Sequence, residues 1–113
     1  MSDCIFCKIA AGEIPSKKAY EDDLCVAFYD LEPQAPVHIL VIPKEHIDGA
    51  DCITAENNAI VAHIFSVIPK VMKAHKADGG WRVVTNVGKD GGQSVRHLHF
   101  HLLAGRSLGW PPG

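Results

Sequence analysis

The sequence predicts an α+β domain: one mainly antiparallel sheet, a single long helix packed on it, and a short N-terminal helix. Three observations point to this class. Several runs rich in β-branched and aromatic residues are separated by Gly, Pro and Asp clusters, the pattern of short strands between turns. One stretch, residues 55–76, carries apolar side chains at helical spacing. The chain has 113 residues, enough for one core and scarcely for two, so 1–113 is expected to be a single domain.

The elements follow in order. Cys4 to Ala11 reads as a short helix that Gly12 ends, with Ile5 and Ile9 one turn apart and Phe6 beside them. Ala19 to Glu21 is a short strand, Asp22-Asp23 a turn, and Leu24 to Tyr29 a second strand. Asp30 to Pro36 is a proline-bearing loop. Val37 to Ile42 is almost wholly apolar, as a central strand must be, with His38 the interruption and Pro43 the end. Lys44 to Cys52 reads as irregular. Thr54 is placed to cap the long helix, whose stripe is Ile60, Ile64, Val67, Ile68, Val71 and Met72. Pro69 interrupts that stripe, which predicts a kink or two helices in series. Trp81 to Val87 is a strand, Gly88 to Gln93 a glycine-rich loop, and Ser94 to Leu103 the last long strand. The tail is irregular and ends Trp110-Pro111-Pro112-Gly113.

Composition narrows the function. Apolar residues make up 47% and charged residues 21%, an ordinary globular balance, and the formal net charge is −2. A general nucleic-acid binder would present a basic surface, so no nucleic-acid partner is expected. The opening residues lack the basic and apolar regions of a signal peptide. Apolar runs such as Ile39 to Ile42 are far too short to span a bilayer. A cytoplasmic location and no membrane partner are expected. In that compartment the four cysteines, Cys4, Cys7, Cys25 and Cys52, read as thiols or metal ligands rather than disulfides.

The chemistry concentrates in His97-Leu98-His99-Phe100-His101. On a strand, alternate side chains share a face, so the three histidines project together while Leu98, Phe100 and Leu102 enter the core. Three alternate residues span roughly 13 Å, at about 3.3 Å per residue, so one ion cannot hold all three and their roles divide. Idle surface histidines would be the bland explanation, but period two beside a glycine-rich loop argues otherwise. A neutral imidazole on a rigid element suits nucleophilic attack on phosphorus. Gly91-Gly92-Gln93-Ser94 runs straight into this segment, and its backbone N–H groups can form a phosphate nest. No GxxxxGK[ST] loop is present, which excludes a P-loop ATPase.

Gln93-Ser94-Val95-Arg96-His97-Leu98-His99-Phe100-His101-Leu102-Leu103 resembles the histidine triad signature, HxHxHxx with apolar x. Glu21-Asp22-Asp23, Pro33-Gln34-Ala35-Pro36, Val41-Ile42-Pro43-Lys44, Ala104-Gly105-Arg106 and the terminal Trp-Pro-Pro-Gly extend the resemblance over nearly the whole chain, toward the Hint branch. Arg96 departs from the pattern at a position often aromatic in relatives, and Pro69 is unusual in the long helix.

The resemblance implies a homodimer whose two sheets join into one. It implies hydrolysis of purine nucleoside 5′-phosphoramidates through a nucleotidyl-histidine intermediate. By this match His99 is the nucleophile, His101 contacts the phosphate, Ser94 assists departure of the amine, and His38 joins the hydrogen-bond network. Ile5, Phe6, Ile9, Phe28 and Leu31 would line the base pocket, and Asp30 would hold the ribose hydroxyls. Asn86 and Gly92 match phosphate-side or leaving-group positions, with Gln93 beside them. Trp110 matches a tail residue that approaches the partner's active site. Some relatives bind structural Zn2+ through a CxxC pair and two histidines; carried over, the ligands are Cys4, Cys7, His46 and His97, a closed tetrahedral set. Cys25 and Cys52 read as structural or incidental, and His63 and His75 as lying on the long helix, facing solvent or packed at its side. Two other functions stay open at this point: a dinucleoside polyphosphate hydrolase of the Fhit type, and a zinc-stabilised nucleotide-binding regulatory module without activity.

Overall fold

The computed structural model describes residues 3–113; the reading of Met1 and Ser2 lies outside them. Five strands form one antiparallel sheet in the order β1-β2-β3-β5-β4: β1 (Lys18–Glu21), β2 (Cys25–Tyr29), β3 (Val37–Pro43), β4 (Trp81–Val84) and β5 (Phe100–Ala104). Three α-helices accompany it, α1 (Ile5–Ala10), α2 (Asn58–Ala74) and the single turn α3 (Gly88–Gly91), with a 3₁₀ turn at Ala50–Cys52 in the stretch expected to be irregular.

The central strand explains the layering. β3 is buried from His38 to Pro43 because both of its faces are covered. Ile39 and Val41 lie in one core with Ile64, Val67, Ile68, Val71 and Met72 of α2, and with Leu98, Phe100 and Leu102. Leu40 and Ile42 face the other way, into a smaller core with Val26, Phe28, and Phe6 and Ile9 of α1. The period-two alternation thus assigns each strand residue to one of two layers. Asp22 fastens the β1–β2 turn to α2. Its carboxylate accepts from the backbone N–H of Leu24 and Cys25, from the Tyr20 hydroxyl, and from His63 Nε2 at 2.6 Å. Gly105 turns the chain after β5 with φ +94°, where a Cβ would meet Pro36 at 2.8 Å.

Several expectations need correction. The long helix begins at Asn58, not Ala55, and ends at Ala74. Thr54 instead caps a preceding turn, accepting Glu56 N–H on its hydroxyl and Asn57 and Asn58 N–H on its carbonyl. Pro69 does not split α2, which runs unbroken from Asn58 to Ala74. It sits on the exposed face, where water can satisfy the carbonyl that its missing N–H deserts, while Ile68 and Val71 hold the buried face in register. β4 stops at Val84, three residues short of expectation. Residues 88–91 are a helical turn rather than loop, closed by Gly92 at φ +82° and by Gln93 Oε1, which accepts from Gly88 N–H. The last strand starts at Phe100, not Ser94.

Replacing Pro69 by Ala should restore a helical donor at an exposed position and raise the unfolding free energy by up to about 3 kcal/mol. Urea denaturation reads this as a higher midpoint at an unchanged slope. A lower midpoint would show that the pyrrolidine ring contributes packing that its exposure conceals.

Candidate active site

The three histidines keep to one side although only His101 lies in a strand. Beyond Phe100 the ladder to β3 stops, yet Leu98 stays buried in the α2-side core. Two hydrogen bonds replace the ladder: Leu98 N–H donates to the Ile47 carbonyl at 2.6 Å, and the Thr85 hydroxyl donates to the His99 carbonyl at 2.8 Å. His97, His99 and His101 therefore all face α1, with Phe6 packed edge-on against His97 and His99 at centroid distances of 6.0 and 5.1 Å.

Hydrogen-bond partners fix the tautomers. A carbonyl can only accept, so His99 Nδ1, 2.7 Å from the His97 carbonyl, carries the proton. The lone pair of neutral His99 is then on Nε2. His97 Nε2 likewise donates to the Pro43 carbonyl at 2.9 Å, which leaves its Nδ1 lone pair beside Cys4 Sγ and Cys7 Sγ at 3.3 and 3.5 Å. His46 repeats the pattern: Nε2 bonds Asp48 Oδ1 at 2.7 Å, and Nδ1 lies 3.1 Å from Cys7 Sγ. Two thiol sulfurs and two imidazole lone pairs thus meet within 4.8 Å.

A second group of side chains runs behind His101. Gln34 N–H donates to His38 Nδ1 at 2.9 Å, so the His38 proton is on Nε2. That N–H faces His101 Nδ1 at 2.9 Å and Asp30 Oδ2 at 3.4 Å. When it is given to His101, the His101 proton must sit on Nε2. Asp30, His38 and His101 could be mistaken for a metal site, since their donor atoms also cluster. A cation on His38 Nε2 would force the proton to Nδ1, against the Gln34 N–H, so the observed bonds do not suit a metal there.

A cleft of about 390 Å³ opens between α1 and the sheet, a size suited to a small organic ligand. Ile5, Phe6, Ile9, Phe28, Asp30, Leu31, Ser94, His99 and His101 line it together, and His38 lies directly behind His101. Asn86, Gly92, Gln93 and Trp110 do not line it. Gln93 is a staple of its loop, donating to the carbonyls of Asp48 and Val95. Trp110 is 80% exposed and lies over Arg82. Arg96 pairs with Asp51 and donates to Gln93 Oε1, so it braces the glycine-rich turn from outside. His63 lies on α2 and bonds Asp22, while His75 is one residue beyond the helix, at its C-cap, and bonds Tyr29. Ile14, Pro15, Ser16, Lys17, Tyr29, Glu32 and Leu40 also line the cleft, none of them expected from the sequence. Leu40 was within reach, since it shares the His38 face of β3; the Ile14–Lys17 segment carries no periodic signal.

The chain matches the HIT domain over residues 11–108. It is 52% identical to an uncharacterized HIT-like protein from Synechococcus elongatus, across 98% of this chain and 97% of that one. A histidine triad protein from Clostridium difficile superposes with TM-score 0.93 at 55% identity, covering 96% of each chain. A HIT family hydrolase from Legionella pneumophila superposes with TM-score 0.95 at 45% identity, covering 98% of this chain and all of that one. The chain belongs to the HIT family.

Burial holds two of the site histidines neutral. The pKa of His97 is pushed down to about 4 by desolvation, as is that of His101, where His99 and His38 add to the effect. The unfolded chain binds more protons at these positions between about pH 4 and 6.5, so stability is full above 6.5 and falls as the pH drops through that window. The expected slope is up to about 1.4 kcal/mol per pH unit for each group. His101→Asn should flatten the dependence measured by denaturation at pH 7 and pH 5; an unaltered slope would refute the assignment to His101.

Proposed function

We propose that this HIT protein hydrolyses purine nucleoside 5′-phosphoramidates, compounds in which AMP is joined through nitrogen to an amine. The observation that carries the reading is the bond from His99 Nδ1 to the His97 carbonyl, which reserves Nε2 for attack on phosphorus. The hydrolase among its structural relatives, and the cleft of nucleoside size beside His99, support it. Ile5, Phe6, Ile9, Phe28 and Leu31 would take the base on an apolar surface, and Asp30 would accept from the ribose hydroxyls.

The chemistry runs in two steps. His99 Nε2 forms a bond to phosphorus as the P–N bond to the amine breaks. The leaving nitrogen takes a proton from a water molecule, relayed through the Ser94 hydroxyl, and departs as the neutral amine, while His101 Nε2–H hydrogen-bonds the phosphate. The hydroxide so formed attacks phosphorus from the vacated side and releases AMP and free His99. The His38–His101 bond keeps the His101 proton on Nε2. Asn86, Gly92 and Gln93 belong in this reading to the phosphate and leaving-group side.

Zinc fits the Cys4, Cys7, His46 and His97 set. Both imidazoles offer Nδ1 and spend Nε2 on a carbonyl or carboxylate, the outer partners that orient zinc-bound histidines. Bound there, zinc supplies structure, pinning α1 and the segment after β3 to His97. A homodimer completes the reading. β4 is an edge strand, and Trp81 on it and Phe65 on α2 leave 40% and 48% of their surfaces exposed, apolar area a second copy can cover. Trp110 would then approach the neighbouring site. The protein works in the cytoplasm in this reading; no helix among the described residues is long and apolar enough to cross a membrane.

Two experiments test these points. Wild type should release amine from adenosine 5′-phosphoramidate, and His99→Ala should lose at least about a thousandfold in kcat while still binding AMP. Equal turnover by the two proteins would remove His99 from the role. Native mass spectrometry should find two chains with two zinc ions, and Cys7→Ser should lose the metal; a metal-free dimer after zinc supplementation, or a monomer, would count against the corresponding part.

A further inference from the structure

Arg106 does not line the cleft. It is the second residue after β5, where Gly105 turns the chain against Pro36. Its guanidinium forks onto one carbonyl, that of Gln34, with Nη2 donating at 2.8 Å and Nε at 3.3 Å. Nη1 donates to the Ser107 carbonyl at 3.0 Å, which fixes the plane of the fork. The N–H of the same Gln34 donates to His38 Nδ1 at 2.9 Å. One residue is thus held by its carbonyl from outside, and hands its N–H inward to a side chain that is only 4% exposed. The loop needs such a hold. Leu31, Glu32, Pro33, Gln34 and Pro36 are exposed, and Ala35 alone among residues 31–36 is buried. The Gln34 side chain bonds the Glu32 carbonyl, inside the loop; Arg106 supplies a bond from beyond it.

We infer that Arg106 is a positioning residue: by holding Gln34 from outside, it keeps the proton of His38 on Nε2 and, through that ring, the proton of His101 on Nε2 at the cleft. The two rings switch together. With the Gln34 N–H in place, His38 Nδ1 accepts, and His38 Nε2–H donates to His101 Nδ1 at 2.9 Å. Without it, the buried Nδ1 lone pair is unsatisfied, a cost the ring escapes by moving its proton to Nδ1 and donating to water that the loosened loop admits. His38 Nε2 then becomes an acceptor. Its contact with His101 survives only if His101 donates from Nδ1, which turns the Nε2 lone pair of His101 toward the cleft. A phosphate there would meet an acceptor where it now meets a donor. The effect on turnover rests on the reading of His101 Nε2–H as a phosphate contact; the proton positions themselves do not.

Nitrogen NMR of 15N-histidine-labelled protein reads the proton positions without substrate. In wild type, His38 and His101 should both show the Nε2–H pattern. In Arg106→Ala the two rings should shift together toward Nδ1–H, and amide exchange at Gln34 should quicken about tenfold or more. Arg106→Lys keeps a donor for the Gln34 carbonyl and should keep the wild-type pattern. So should Gln34→Ala, which keeps both backbone groups. With adenosine 5′-phosphoramidate, kcat should fall about tenfold in Arg106→Ala and recover in Arg106→Lys.

An Nδ1–H pattern on either ring of wild type would overturn the inference whatever the variants do. An unchanged pattern in Arg106→Ala, or a pattern lost equally in Gln34→Ala, would overturn it while leaving the hydrolase reading intact. Rings that shift in Arg106→Ala and return in Arg106→Lys, with no turnover by wild type, would support it and overturn the hydrolase reading.

Discussion

The 2.7 Å bond from His99 Nδ1 to the carbonyl two residues back is the constraint on which the site turns. It is local, buried and directional, and it settles which nitrogen of His99 can react. It also joins two neighbourhoods through one residue. The carbonyl of His97 holds His99, while the ring of His97 is held by Pro43 and faces two sulfurs. Whatever fixes the His97 ring fixes the backbone that aims His99.

That arrangement depends on a strand pattern that outlasts its strand. Residues 97–99 have no ladder partner, yet Leu98 is 1% exposed in the same core as Phe100 and Leu102. Removing Leu98 from water is worth on the order of 2 kcal/mol, enough to hold the alternation where hydrogen bonding is sparse. The single donor from Leu98 to Ile47 and the cap from Thr85 then satisfy the backbone that a neighbouring strand would otherwise serve. Register is kept by side chains first and by hydrogen bonds second.

The same distinction explains what could be read from the sequence. The strands, the long helix stripe and the face shared by the histidines are matters of periodicity, and periodicity is written in one dimension. The nine lining residues named together rest on the resemblance to the histidine triad signature, and they come from α1, the β2 end, the following loop and the histidine segment. What escaped depends on solvent or on distant partners. Pro69 is tolerated because its face is exposed, which no local pattern reveals. The strand end at Val84 and the start at Phe100 are set by where partners stop. The tautomer of His38 needs the N–H of Gln34, a turn geometry with no sequence signature. Gln93 ties its loop to the segment after β3, accepting from Gly88 N–H and donating to the Asp48 carbonyl, a long-range bond with no local signature.

α1 shows how closely structure and site are bound together. A helix of six residues is far below the length that is stable alone, so its place is decided by what it touches. Phe6 and Ile9 anchor it in the smaller core, and the Cys4 sulfur accepts from Cys7 N–H at its first turn. The same turn presents both sulfurs to His97 and His46, and the same helix presents Ile5, Phe6 and Ile9 to the cleft. Loosening the sulfur–imidazole cluster would therefore act at two points at once. The apolar wall of the cleft would lose its fixed end, and the His97 carbonyl would lose the ring that steadies it. The sulfur–imidazole cluster is in this way tied both to the shape of the cleft and to the orientation of His99 inside it.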